Sequence, residues 1–187
     1  MKTIYYIALS LLFMSCGKTG NVYKVSNEAM SPSLNIGDHI FVNTMSNSYT
    51  YGDIIVYKYP GSDSTYMQAD TYVHRIVGLP GDSIAMENGI CIINGKKNRS
   101  RFLGKRASGS EYIPSFDVYE EIFPNEEKIR ILCIPENPHE NLKSIYIPEG
   151  HYYILGDSRG NSADSRAIGF VPKEWISGKV VKIISPD

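Results

Sequence analysis

An all-β fold built from antiparallel strands is what this sequence predicts, on three observations. Short runs rich in Val, Ile and Tyr recur along the chain, with 14 Tyr among 187 residues, and such side chains suit a pleated, half-buried surface. Turn residues, 16 Gly and 10 Pro in all, punctuate these runs at short intervals. Between two of them lies Asn88-Gly89, the strongest short hairpin signal in the chain. The length supports one domain with room for a small subdomain and a sizeable core. A net charge of -1 provides neither a basic face for nucleic acid nor an acidic tail. No internal repeat or low-complexity tract is present.

The elements follow in order. Lys2 and the apolar run Thr3–Met14 read as a targeting segment outside the fold. That run falls short of the roughly 20 residues a membrane-spanning helix needs. It ends in Leu12-Phe-Met-Ser-Cys16, which resembles a lipoprotein signal. Residues 1–15 are then the signal peptide, Cys16 the lipidated residue and 16–21 a spacer, against the alternative of an ordinary cleaved signal. Strands are expected at Val22–Val25, His39–Asn43, Ile54–Tyr59 and Tyr72–Leu79, then at Ile84–Glu87 and Ile90–Ile93 flanking the hairpin turn. The polar stretch Ser46–Tyr51 reads as a flexible loop. From about 96 to 145 the regularity is lost, which reads as an inserted β subdomain. Strands return at His151–Leu155, Gly169–Val171 and Lys179–Ile184, with a brief helix at Pro172–Trp175. The pattern predicts a closed or nearly closed antiparallel β barrel over residues 22–187.

With Cys16 assigned, Cys91 and Cys133 remain, both in strand-like runs, and they read as buried apolar thiols rather than a disulfide. His39, His74, His139 and His151 are scattered without metal-ligand spacing, so neither a zinc site nor any other cofactor is expected.

Four stretches carry chemistry. They are Met30-Ser-Pro-Ser-Leu34 with Gly37-Asp38; Gly52-Asp-Ile-Ile-Val-Tyr-Lys58; Tyr72-Val-His-Arg-Ile-Val-Gly-Leu-Pro-Gly-Asp82; and Tyr153-Ile-Leu-Gly-Asp-Ser-Arg-Gly-Asn-Ser-Ala-Asp-Ser-Arg166. In this order they resemble the signature blocks of bacterial type I signal peptidases, the Ser/Lys endopeptidases that remove signal peptides. The resemblance covers roughly 22–95 and 145–184. It implies a signal-peptidase-like β barrel and a catalytic serine at the position of Ala29. A methyl group has no lone pair with which to attack a carbonyl. His74 occupies the general-base position, where most bacterial members have Lys and the endoplasmic-reticulum branch has His. A neutral imidazole is a competent base at neutral pH, and a strand histidine that is merely hydrogen-bonded is the alternative.

The resemblance further implies that Ser162 orients the base and that Asn27 stands where an oxyanion donor is kept. Arg75 with Asp157, and Asp164 with Arg166, would be structural ion pairs. Tyr23, Val25, Met30, Leu34, Tyr72 and Val73 would line the pockets for the small residues before the cut, the substrate binding as an added strand. Ser31, one step beyond Met30, is the alternative nucleophile within the first block, and Ser158 departs from the family's Asn. Two functional readings stay open. One is a signal peptidase I homologue, a serine endopeptidase whose partners are the signal peptides of exported preproteins, impaired by Ala29. The other is a non-catalytic pseudo-peptidase that binds signal peptides or exported chains and modulates an active paralogue. Either would be anchored by lipid at the extracytoplasmic, periplasmic face of the membrane. A third candidate, the self-cleaving domain of SOS-type repressors, is opposed by the lipoprotein signal and the absence of a DNA-binding segment.

Overall fold

The computed structural model describes residues 20–60, 70–108, 115–135, 137 and 140–186. The expectations for the targeting segment, Cys16 and His139 lie outside the described residues. Among the described residues fourteen strands run in chain order: β1 (Gly20–Lys24), β2 (His39–Asn43), β3 (Ile54–Tyr59), β4 (Asp70–Gly78), β5 (Ser83–Glu87), β6 (Ile90–Ile93), β7 (Lys96–Lys97), β8 (Arg99–Ala107), β9 (Ser115–Ile122), β10 (Lys128–Cys133), β11 (Leu142–Tyr146), β12 (His151–Leu155), β13 (Val171–Pro172) and β14 (Ile176–Ile184). A single helical turn, α1 (Ser165–Ile168), precedes β13, and a 3-10 turn covers Lys173–Trp175.

The strands form three antiparallel sheets: a seven-stranded one in the order β1-β2-β14-β3-β4-β12-β13, a four-stranded one in the order β11-β5-β6-β7, and a three-stranded one in the order β10-β9-β8. The all-β expectation holds. Among the described residues, however, no sheet closes into a barrel. The large sheet ends at β1 on one side and at the two-residue β13 on the other, and its apolar faces are covered by packing rather than by closure. Val77 and Leu155 of this sheet share a core with Ile84 and Met86 of the four-stranded sheet and Ile131 of the three-stranded one.

Local chemistry explains most elements. In β2, Ile40 and Val42 point inward while His39 and Phe41 face out, the period of two expected for a half-covered strand. Ile55, Val56 and Tyr57 of the central β3 are all buried, so that strand reads as a continuous apolar run. Asn88 and Gly89 adopt φ of 49° and 77°, the left-handed pair that a tight hairpin requires. Residues 99–107 gave no alternation to read because eight of the nine positions of β8 are exposed and the ninth half-buried. Gly169, expected to begin a strand, instead ends α1, and β13 starts at Val171. The loop expected at 46–51 is irregular but well tied. Tyr49 packs edge-on against Tyr152, Tyr51 stacks on Phe123, and Thr50 donates to Asp53.

The three sheets meet at one buried ion pair. Arg159, in the loop after β12, faces Glu121 of β9 at 2.5 Å with both side chains fully buried. Glu121 also accepts hydrogen bonds from the Cys91 backbone N–H and the Asn98 side chain, and Arg159 donates to the Gly89 carbonyl. Cys91 and Cys133 are buried free thiols in the apolar core as expected, with charged groups beside them. The Cys91 sulfur lies 3.8 Å from the Arg159 guanidinium, and burial together with Glu121 pushes its pKa well up. Removing one member of a buried pair leaves the other charge uncompensated, at about 3–5 kcal/mol. We therefore expect Arg159→Met to lose stability on that scale in urea unfolding. The double change Arg159→Met with Glu121→Leu should recover a substantial part of the loss.

Candidate active site

His74 lies in the middle of β4, opposite Ile55 of β3. It is 3% exposed, and both ring nitrogens have partners. Nδ1 is 3.0 Å from the Tyr57 hydroxyl and Nε2 is 3.1 Å from Ser162 Oγ. Tyr57 shares the His74 face of the sheet, diagonal across the β3–β4 ladder. Burial raises the Tyr57 pKa, so its phenol stays protonated. Two tautomers satisfy this chain. If Nδ1 carries the proton it donates to Tyr57 and Nε2 accepts from Ser162; in the other tautomer both directions reverse. Burial is the largest influence on the imidazole and lowers its pKa from 6.5 to about 4, against an opposing pull from Asp164 and Asp157. At neutral pH the ring is uncharged.

Ser162 is carried by the loop between β12 and α1, and that loop is fixed at several points. Arg75 grips Asp157 with two bonds of 2.8 and 2.6 Å and also donates to the Gly52 carbonyl. The Leu132 N–H donates to the Asp157 carbonyl, and the Arg159 N–H to that of Leu132, which pins the loop to β10. At its far end Asp164 caps α1, accepts from the Gly156 N–H and pairs with Arg166 at 2.7 Å. Burial works against the Asp164 charge, but Arg166 and the Gly156 N–H outweigh it and hold the carboxyl below its usual range. Both ion pairs expected from the sequence are therefore present as contacts.

Ala29 sits on the neighbouring turn. Its N–H donates to Asn27 Oδ1 at 3.0 Å, and its carbonyl accepts the Ser158 N–H at 3.0 Å. Gly156 separates this turn from Ser162. A β-carbon on Gly156 would stand 2.5 Å from both the Ala29 carbonyl oxygen and Ser162 Cβ, so only glycine lets the two segments come this close. The hydroxyls of the first block point to arginines: Ser31 accepts from Arg106 and Ser33 from Arg75, each at 3.1 Å.

A cleft of about 590 Å³ joins these groups, lined by Asn27, Glu28, Ala29, Tyr72, His74 and Ser162 among others. Beside it a groove of about 140 Å³ is lined by Tyr23, Val25, Tyr72 and Val73 over Ile40 and Val56. Asn27 and Tyr72 border both. Met30 and Leu34 do not: they are fully buried beneath the site and pack with Val25, Ile40 and Val42, so they shape the turn and present nothing to a ligand. Tyr57 and Gly156 were missed by the sequence reading. The alternation of β3 and β4 was the available signal for Tyr57; Gly156 carried none beyond its place in the fourth block. Among the described residues no group of three or more His, Cys, Asp or Glu is placed to hold a metal ion.

A strand-borne imidazole, the Ser162 hydroxyl and the turn carrying Ala29 are gathered around one cleft. Residues 1–185 match the model of the family described as signal peptidase, peptidase S26, and the chain belongs to that family. Signal peptidase IB of Staphylococcus aureus is 29% identical over 180 residues, an alignment covering 93% of this chain and 82% of that one. Signal peptidase I of Aquifex aeolicus is 27% identical over 219 residues, covering 96% and 81%. A crystal structure of a signal peptidase I from Enterococcus faecalis V583 aligns with a TM-score of 0.42 at 23% identity, over 72% of this chain and 97% of that one. The family acts on signal peptides and is membrane-associated, with its active site on the extracytoplasmic side. Among the described residues no helix is long and apolar enough to cross a membrane.

The depressed His74 pKa has a consequence for stability. The unfolded chain protonates this imidazole below 6.5 and the folded protein only near 4, so the unfolded state binds more protons between those values. The contribution of neutral His74 is complete above pH 6.5 and declines as pH falls towards 4, by about 3 kcal/mol. The stability difference between wild type and His74→Gln in urea should shift by that amount in the destabilising direction for wild type over this window. An unchanged difference would mean that burial does not hold the ring neutral.

Proposed function

We propose that this protein engages the C-terminal region of signal peptides of exported preproteins at the extracytoplasmic membrane surface, and that the family's serine route of hydrolysis is closed to it. The observation that carries this reading is a retained cleft and groove beside a methyl group at Ala29. No carbonyl can be attacked from a methyl carbon. The two serines nearest in the first block offer no substitute, since Ser31 and Ser33 hydroxyls are engaged by Arg106 and Arg75.

Recognition is supported by the backbone as well as the groove. Strand β12 pairs with β4 only at Arg75, Ile76 and Gly78. The groove running beside β4 suits an extended peptide added as a strand. Tyr23, Val25, Tyr72 and Val73 then face its small side chains. The Asn27 amide, whose oxygen accepts from Ala29, offers its N–H donors to a peptide carbonyl. Bound but uncut chains would be withheld from, or handed to, an active paralogue. Cys16 is the proposed lipid attachment point. It lies 14 residues before Met30, at most about 50 Å of extended chain, which keeps the cleft near the bilayer. Acyl chains add about 0.8 kcal/mol per buried CH₂.

Three outcomes are expected. In fluorescence anisotropy, a labelled peptide ending in the Ala-x-Ala region of a signal peptide binds wild type, and Val73→Arg weakens it at least about tenfold, the effect of about 1.4 kcal/mol. Absence of saturable binding by wild type would remove this function. Ala29→Ser alone adds little signal-peptide cleavage, because His74 Nε2 already faces Ser162; Ala29→Ser with His74→Lys should exceed it. Robust cleavage by the single variant would mean that His74 serves position 29 directly. Metabolic labelling with a fatty-acid analogue should mark wild type and not Cys16→Ala; an unlabelled wild type ends the lipoprotein assignment.

A further inference from the structure

We propose that Ser162 is itself a nucleophile, activated by His74 and positioned with the help of Tyr57, and that it accepts acyl groups from carbonyl compounds held in the cleft. The inference rests on the proposed function only in that the same cleft holds the acyl donor. The geometry is that of a nucleophile, a base and an orienting group. Ser162 Oγ lies 3.1 Å from His74 Nε2, and Tyr57 holds the other ring nitrogen at 3.0 Å. A serine needs a base within roughly 2.6–3.2 Å, itself fixed by a third group, and both conditions are met here. An imidazole presents a directed nitrogen to the hydroxyl and is held in place from behind.

Access and charge agree. Ser162 is half-buried and lines the cleft with His74 and Asn27. The imidazolium formed on proton transfer lies in the favourable field of Asp164 and Asp157, with Arg166 opposing them. Asn27 supplies N–H donors on the cleft wall for the developing oxyanion.

In the step itself, the Ser162 Oγ–carbon bond forms while the hydroxyl proton passes to His74 Nε2. The carbon–leaving group bond then breaks, and that proton goes to the leaving amine or alcohol. The acyl ester stays on Ser162 until water attacks it, giving a proton to His74; the Ser162 Oγ–carbon bond then breaks and His74 returns that proton to the serine oxygen. An imidazole with a pKa of about 4 is fully available at neutral pH but weakly basic. Activated esters should therefore react readily and peptide bonds slowly.

The test uses the full chain in detergent with p-nitrophenyl acetate, read by intact mass and peptide mapping. Wild type should gain one acetyl group, mapped to Ser162. Ser162→Ala and His74→Gln should lose at least tenfold in acylation rate, Ser162→Cys should restore it, and Ser31→Ala should leave it unchanged. The rate should rise with pH about a midpoint well below 6.5, and Tyr57→Phe should move that midpoint. A wild type that gains no acetyl at Ser162, or a Ser162→Ala protein acetylated at the wild-type rate, overturns the proposal. Signal-peptide binding by wild type without acylation overturns only this inference, whereas loss of peptide binding overturns the proposed function and leaves the ester result standing. Thermal melts of each variant separate lost chemistry from lost fold.

Discussion

The ion pair between Arg159 and Glu121 is the constraint on which the rest of this structure depends. Both side chains are withdrawn from water, a placement whose desolvation penalty is repaid only with good geometry and further hydrogen bonds. Three such bonds are present, from β6, from its hairpin turn and from the link between β7 and β8, and of the pair's polar atoms Arg159 Nε alone is left without a partner among the described residues. Glu121 belongs to β9; it takes the N–H of Cys91 on β6 and the amide of Asn98. Arg159 belongs to the loop leaving β12 and reaches the carbonyl of Gly89 in the β5–β6 hairpin. Because this pair is buried where three sheets converge, their relative placement is specified by directional bonds in addition to apolar contact.

The consequence reaches the site three residues away. The loop that carries Ser162 is pinned at Asp157 by Arg75, along β10 by Leu132, at Arg159 by Glu121 and at Asp164 by the start of α1. With so many anchors, the Ser162 hydroxyl is delivered to His74 by the backbone rather than found by its own rotation. His74 is equally fixed, between Tyr57 and Ser162. The charges that hold the loop also act on the imidazole, so the same residues stabilise the fold and set the field around His74. On the proposed function, the family's machinery serves here as a scaffold for binding, and the Ala29 methyl group offers no oxygen for attack.

Much of this could be read from the chain, for physical reasons that differ by region. β2, β3 and β12 announce themselves because one or both faces are buried, and burial writes apolar pattern into sequence. The Asn88-Gly89 turn is legible because few residues tolerate its left-handed backbone. Strand β8 was illegible: with Arg99, Arg101, Lys105 and Arg106 along it and its surface open to water, neither face imposes a pattern. Met30 and Leu34 fixed the register of the first block correctly, but the same apolar character that fixed it places them in the core. Tyr57 was hidden because a buried tyrosine in an apolar strand looks like packing until its hydroxyl is seen against His74 Nδ1. Closure of the barrel is the part not found among the described residues: the large sheet ends at β13, which is two residues long and pairs with β12 alone.

The central claim is that His74 is held neutral between Tyr57 and Ser162. Nitrogen NMR of the histidine-labelled protein, titrated from pH 8 to pH 5 and assigned with His74→Gln, tests it most directly. The account predicts that the His74 ring stays neutral throughout, with one ring nitrogen protonated, and that Ser162→Ala shifts the Nε2 resonance. A His74 signal that titrates with an ordinary midpoint near 6.5, or that ignores the loss of Ser162, would contradict it.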